Sequence, residues 1–382
     1  MNPGTLLAGV ALAAWIYLLL GRGLFWLARE RDNRGAAPGE PGVWPSVVAV
    51  VPARDEADVA ARSIASLLAQ DYPGDFRMIL VDDNSADGTG DVARGLGEDR
   101  LAVIAGAPPS AGWTGKLWAM SQGIKRAGGA DYLLLTDADV AHAPDNVRRL
   151  VERAEAGRLV LVSLMARLSV ETWAERWLIP AFVFFFAMLY PFGWVNDPRR
   201  RSAAAAGGCM LVRREALEAA GGVAALRGEI IDDCALAARL KARGPIWLGL
   251  TDRAVSLRPY VGVGAIGRMV SRSAYAQLGF SPWNLAGAVA GMAVTCAAPP
   301  LFALFGAGPA RWLGLGAWLA MALAFQPMLH VYRRSPLWGL ALPAIGALYA
   351  AFTIRSAVEV WRGRGGMWKG RAQAVGGAIG KA

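Results

Sequence analysis

The 382 residues suffice for one large domain or two ordinary ones. Hydrophobic residues make up 55% and the mean hydropathy is +0.33, which argues against a purely soluble chain. The net charge of +10 would suit nucleic acid, but the basic residues stand beside apolar runs. They are Arg22, Arg29, Arg31 and Arg34, then Arg199, Arg200 and Arg201, then Arg333 and Arg334, then Arg362, Arg364, Lys369 and Arg371. No zinc-finger or RNA-binding signature accompanies them, so the pattern fits juxtamembrane anchoring and excludes a nucleic-acid partner. Cys209, Cys234 and Cys296 are too widely spaced for a disulfide or zinc framework and fit a reducing compartment.

Residues 4–20 carry no charge, and the apolar character continues through Phe25-Trp26-Leu27. A bilayer span needs about 20 residues. The start, Met-Asn-Pro-Gly, lacks the basic region and cleavage site of a signal peptide, so 4–28 reads as a retained anchor. Arg29, Arg31 and Arg34 place its carboxyl end, and the domain that follows, in the cytoplasm. Residues 35–45 are rich in Gly and Pro and form a linker.

From Ser46 the periodicity changes. A buried strand over 47–51 is stopped by Pro52; a helix follows over 57–70, a strand over 78–81 and a helix over 87–96. Strands at 101–105 and 132–136 flank a helix over 116–127. Strands alternating with helices imply right-handed crossovers and a Rossmann-like α/β domain with a mainly parallel sheet. Asp55, Asp83 and Asp137 all fall just past strand ends, where open α/β sheets bind ligands.

The run Leu133-Leu134-Leu135-Thr136 ends in Asp137-Ala138-Asp139. In extended chain the two carboxylates share a face, and two hard oxygen ligands suit Mg²⁺ or Mn²⁺ with a bound phosphate. The alternative is a turn in which an Asp caps the next segment. Neither G-x-G-x-x-G nor a P-loop lysine occurs, so side chains and a metal would hold any nucleotide. Lys116, after Gly112-Trp113-Thr114-Gly115, is either a ligand for its phosphates or a solvated lysine at a helix start.

A strand over 158–164 precedes an apolar, aromatic segment over 177–195. An interfacial placement of that segment keeps both halves of the site on one side of the membrane. Arg199, Arg200 and Arg201 could then meet anionic headgroups. The small residues 203–208 admit close approach of a ligand at Gly207-Gly208. A strand over 209–212 and a helix over 213–220 follow, and strands over 246–250 and 254–257 complete the sheet. Asp232-Asp233 opens a helix over 234–243, either as an N-cap or as a carboxylate general base fixed by the helix start. Residues 261–283 form an interfacial helix region. The runs 284–310, 312–329 and 335–354 can each span a bilayer, giving a transmembrane block over 284–355 and a basic tail over 356–382. One span before the domain and three after put the tail on the opposite side, unless one run is re-entrant; the positive-inside rule favours the cytoplasm for both.

Taken in order, Pro52-Ala53-Arg54-Asp55-Glu56, the Val81 to Thr89 stretch with Asp82-Asp83, Gly115-Lys116, Asp137-Ala138-Asp139, Gly207-Gly208 and Asp232-Asp233 make one set. The chain resembles the family 2 glycosyltransferases of the GT-A fold over roughly residues 46–260. Ala204-Ala205-Ala206-Gly207-Gly208-Cys209 and the Met269 to Tyr275 stretch resemble the hopene- or hopanoid-associated glycosyltransferases of bacteria, with ceramide glucosyltransferases more distant. The resemblance implies inverting hexosyl transfer from a nucleoside-diphosphate sugar, with a UDP-sugar the expected donor. It implies that Asp83 meets the base or ribose, with Pro52, Arg54 and Glu56 lining the same pocket. It further implies that Asp137 and Asp139 hold Mg²⁺ or Mn²⁺ against the diphosphate, and that Asp233, or its neighbour Asp232, is the base. Lys116 and the cation would neutralise the departing diphosphate, and one carboxylate would take the acceptor proton. The family's Gln-x-x-Arg-Trp is missing; Met269-Val270-Ser271-Arg272-Ser273 stands near its place, which argues against a processive polysaccharide synthase and leaves Arg272 as a diphosphate ligand or a helix anchor. The usual Glu-Asp is Asp232-Asp233.

The expectation is therefore a multi-pass enzyme of the cell inner membrane with a cytoplasmic catalytic domain and a lipid acceptor, hopanoid-related. The alternatives are a polyprenyl-phosphate sugar transferase, for which Arg199 to Arg201 would serve the phosphate, and a non-catalytic scaffold or transporter. The spans over 284–310 and 312–329 hold almost no polar residue beyond Gln326, against a transporter.

Overall fold

The computed structural model describes residues 2–34, 39–368 and 371–372. Part of the expected linker, 35–38, and part of the basic tail, including Lys369, lie outside the described residues. In chain order the elements are α1 (Pro3–Leu20), β1 (Val47–Ala53), α2 (Ala57–Leu68), β2 (Phe76–Asp82), α3 (Thr89–Arg94), β3 (Leu101–Ala105) and α4 (Gly115–Arg126). Then come β4 (Tyr132–Thr136), β5 (Val140–His142), α5 (Asn146–Ala156), β6 (Leu161–Arg167), α6 (Trp173–Leu189), α7 (Phe192–Asn196), β7 (Cys209–Arg213), α8 (Arg214–Ala219), α9 (Asp232–Lys241) and β8 (Ile246–Ser256). The remainder is helical: α10 (Gly262–Ser271), α11 (Ala274–Gln277), α12 (Pro282–Met292), α13 (Ala298–Phe305), α14 (Pro309–Val331) and α15 (Leu342–Trp361), before a two-strand ribbon. The described residues form two compact units. One is helical (Met1–Arg29, Val170–Gly193, Pro259–Gly365) and the other α/β (Glu30–Ser169, Trp194–Arg258, Gly366–Ala382).

The α/β unit is built on one sheet ordered β3-β2-β1-β4-β7-β6-β8-β5. It is mixed, not mainly parallel. β3, β2, β1 and β4 run parallel, as do β6 and β8, while β7 opposes both its neighbours and β5 opposes β8. Strict strand–helix alternation holds only up to β4; β5 follows it with no helix between, and β7 runs antiparallel to both neighbours although α6 and α7 precede it. Every residue of β1 and β4 is buried, as expected of central strands covered on both faces. Pro52 does not stop β1. It pairs with Val81 of β2, beyond Val50, the last β1 residue opposite β4, so its missing N–H costs no central ladder bond. The two short strands expected over 246–257 are one strand, β8, and the slip in its pairing with β6 falls between Met165 and Arg167. Gly123 lets α4 lie close on the sheet: a Cβ there would meet Val50 Cγ1 at 2.4 Å and Val81 Cγ2 at 3.0 Å.

Within the helical unit, four helices are long and apolar enough to cross a membrane: Pro3–Leu20, Pro282–Phe305, Pro309–Val331 and Pro336–Trp361. The first is shorter than the expected 4–28, because the chain turns at Gly21 and takes left-handed backbone at Gly23 and Leu24. Pro299 has no N–H for the Thr295 carbonyl, which lies in a π-helical turn, and the Trp15 indole of α1 donates to it at 2.8 Å instead. Trp283 (86% exposed), Phe305 (81%) and Trp312 (70%) point outward near helix ends, as interfacial aromatics do. The expected 177–195 stretch falls in α6, which begins at Trp173 and holds Pro180 inside it, and in α7. Its Phe184 is buried against Phe325, and the Tyr349 hydroxyl donates to the Leu178 carbonyl.

Candidate active site

The loops after β1 and β2 brace each other. Asp55 and Asn84 adopt left-handed backbone, φ +50° and +54°, which Asp and Asn tolerate best among non-glycine residues. The Ala86 amide donates to Asp55 Oδ1 at 2.8 Å, the Asp55 amide to Ser85 Oγ at 3.1 Å, the Glu56 amide to Thr89 Oγ1 at 2.8 Å and the Ala57 amide to Asp87 Oδ2 at 2.9 Å. Much of the Asp-Asn-Ser-x-Asp-x-Thr signature thus fixes one loop against the other. Arg54 Nη1 donates to the carbonyls of Asp83 (2.5 Å) and Asn84 (3.1 Å) and stands 3.9 Å from the Asp83 carboxylate, which is wholly buried. Pro52 is buried in β1. The Asp83 carboxylate thus presents no exposed surface to a ligand.

A second cluster joins α4, the turn after β4 and the start of α9. Lys116 Nζ lies 2.7 Å from Asp137 Oδ1 and 4.0 Å from Asp232 Oδ2. It is not a solvated lysine: its side chain is 16% exposed. Burial alone would lower its ammonium, but Asp137, Asp232 and Asp233 outweigh it and hold the group well above its ordinary value. Asp233 Oδ2 accepts from the Gly207 amide at 2.9 Å and Oδ1 from the Cys234 amide at 2.7 Å. Burial, then Asp232, push the Asp233 carboxyl up to about 6, against the pull of Lys116 and the two amides. Neither Asp is the N-cap; Ile231 holds that position, and both carboxylates lie in the first turn, where the helix dipole favours negative charge. Gly207 serves the cluster directly. A Cβ on it would stand 3.4 Å from both Asp233 Oδ2 and Lys116 Nζ. From beneath, Thr136 Oγ1 donates to the Gly208 carbonyl at 2.7 Å and shares 2.9 Å with Nε2 of His142, whose imidazole burial lowers to about 4 and keeps neutral.

Asp137 and Asp139 are not in extended chain. Residues 137–139 form a turn, with the Val140 amide on the Asp137 carbonyl at 3.2 Å and the Leu257 amide on the Asp139 carbonyl at 2.7 Å. The two carboxylates accordingly face different cations. Asp137 meets Lys116, and Asp139 Oδ2 lies 3.6 Å from Arg258 Nε. Arg258 also pairs with Glu56 and stands 3.8 Å from Asp58. Sequence reasoning missed Arg258, although it follows strand β8 just as the acidic residues follow theirs. Arg272 is exposed at the end of α10, in the helical unit.

Among the described residues no group of three or more His, Cys, Asp or Glu side chains is arranged to hold a metal ion. Asp137 and Asp139 are partly exposed hard-oxygen donors on one turn, each already facing positive charge. That donor set fits Mg²⁺ or Mn²⁺ sharing its shell with a diphosphate and water, the usual manner of these ions at phosphate sites, and not an all-protein cage.

The α/β sheet and the acidic turn at its edge define a GT-A glycosyltransferase fold. Residues 48–221 match the domain described as glycosyl transferase family 2. An N-acetylglucosaminyltransferase of Mesorhizobium japonicum is 31% identical over 193 residues, 47% of this chain and 41% of that protein. One of Bradyrhizobium elkanii is 33% identical over 140 residues, 35% of this chain and 74% of its own length. The chain belongs to glycosyl transferase family 2 and carries a glycosyltransferase domain. It spans less than half of the Mesorhizobium protein. Among solved structures, a mannosyltransferase from Pyrobaculum calidifontis in complex with GDP-Man and Mn²⁺ shares the fold with a TM-score of 0.56 at 20% identity, over 93% of this chain and 99% of that one.

Proposed function

We propose that the protein is an inverting membrane glycosyltransferase that moves a sugar from a nucleoside-diphosphate donor to a lipid acceptor. The observation that carries this reading is the convergence of Lys116, Asp137, Asp232 and Asp233, from three separated stretches, around Gly207. A half-buried carboxylate with its pKa pushed up to about 6, beside a fixed ammonium, has the properties of a general base next to a phosphate ligand. Asp233 takes the acceptor hydroxyl proton, held in place by the Gly207 and Cys234 amides. Lys116 binds the departing diphosphate. Arg54 and Glu56 line the nucleotide side, with Asp83 behind Arg54. A divalent cation bound by Asp137 and Asp139 would supply Lewis-acid neutralisation of the leaving diphosphate. The Pyrobaculum neighbour, solved with GDP-Man and Mn²⁺, supports donor and metal classes by fold.

The four apolar helices support an inner-membrane enzyme, and their outward aromatics support an acceptor drawn from the lipid phase. A hopanoid-related acceptor rests on the sequence stretches around Ala204 and Met269 alone, and the cytoplasmic side of the catalytic domain on the basic residues after α1. The test is calorimetric binding of UDP and GDP to the purified full chain with and without Mn²⁺, followed by transfer to extracted lipid. Metal-dependent nucleotide binding is expected; its absence with both nucleotides refutes the donor site.

A further inference from the structure

We propose that Arg258 is the resident counter-ion of the Asp139 carboxylate and makes binding of a divalent cation conditional on a nucleoside diphosphate. The inference rests on the reading above that Asp137 and Asp139 take the cation. The guanidinium lies between β1 and β4 loops: Glu56 on one side, Asp139 at 3.6 Å on the other, Asp58 at 3.8 Å. Its planar fork lets one side chain face two carboxylates at once. The Glu56 side chain is 10% exposed, that of Asp139 24% and that of Arg258 32%, so solvent and salt screen these two contacts only in part.

A bare Mn²⁺ approaching Asp139 therefore meets a carboxylate that shares a guanidinium with Glu56 and Asp58, with that positive charge 3.6 Å away. It must displace Arg258 and leave that cation facing the ion. A diphosphate removes both costs. It brings negative charge with the metal, and its oxygens offer Arg258 a bidentate partner in place of Asp139. Metal and nucleotide thus bind as a couple, and the enzyme does not hold a metal idle. Lys116 restrains Asp137 in the same sense, but it also faces Asp232 and Asp233; Arg258 is the cation whose removal takes a positive charge from Asp139 without touching the candidate base.

The experiment is Mn²⁺ titration of the full chain in detergent, first alone and then with UDP, for the wild type and Arg258→Gln. Arg258→Gln is expected to bind Mn²⁺ alone about tenfold more tightly, and the tightening of Mn²⁺ by UDP is expected to shrink by a similar factor. Equal or weaker binding of Mn²⁺ alone by Arg258→Gln overturns the proposal while leaving the donor site intact. A wild type that binds Mn²⁺ as tightly without UDP as with it overturns it too, whether or not the variant folds. Failure of the wild type to bind UDP with Mn²⁺ at all removes the donor-site reading and this inference together.

Discussion

Asp233→Asn separates stability from catalysis in opposite directions. The Asp233 carboxyl moves from 3.8 to about 6 on folding, chiefly through burial, so the folded protein holds this proton more tightly than the unfolded chain does. Stability from the protonated carboxyl is complete below pH 4 and is lost as the pH rises to about 6. Above that, the ionised group costs about 3 kcal/mol relative to an ordinary aspartate. Asparagine carries no such cost, but its single Oδ1 serves only one of the Gly207 and Cys234 amides, leaving one unpaired at about 1 kcal/mol. The variant is therefore expected to be less stable than wild type by about 1 kcal/mol at pH 4 and more stable by about 2 kcal/mol above pH 6.5. Its transfer rate should fall by roughly 10² to 10⁴. Thermal midpoints of both proteins in one detergent, taken from pH 4 to 8, give the difference directly. A difference that is flat with pH, or that turns against the variant as pH rises, refutes the buried-base argument.

Lys116→Met removes the charge that pulls Asp233 down, so the acid limb of the rate–pH profile, near pH 6 in the wild type, should move to higher pH. A limb that stays put would disconnect the two groups. Gly123→Ala forces a methyl against Val50 Cγ1 at 2.4 Å and should destabilise the fold by about 1–3 kcal/mol in denaturant titration, with transfer kinetics unchanged below the melting range.

What the sequence made legible followed from period and position. The buried strands β1 and β4, with β2 and β3, were readable as apolar runs, and the acidic residues past their ends marked the ligand-bearing edge. The later half was harder. Antiparallel β7 follows the helices α6 and α7 much as a parallel strand would, and β5 has only three residues, which is why a mainly parallel sheet was expected where a mixed one stands. The site's ion pairs were less accessible still. Arg258 and Glu56 are distant in sequence, and nothing local announces that one guanidinium will answer carboxylates from two loops. The aspartate spacing at 137 and 139 suggested a shared face because extended chain was assumed; the turn that follows β4 aims each carboxylate at its own cation.

Helix α9 has a second end. While its first turn carries Asp232 and Asp233, Lys241 at its last turn donates to the carbonyls of Val195 (2.6 Å), Ser202 (2.6 Å) and Trp194 (3.2 Å), closing the base of the loop that bears Arg199, Arg200 and Arg201. A ten-residue helix is a strut about 15 Å long that does not compress. A displacement of the arginine loop is thereby carried along one rigid element to the turn that bears Asp232 and Asp233.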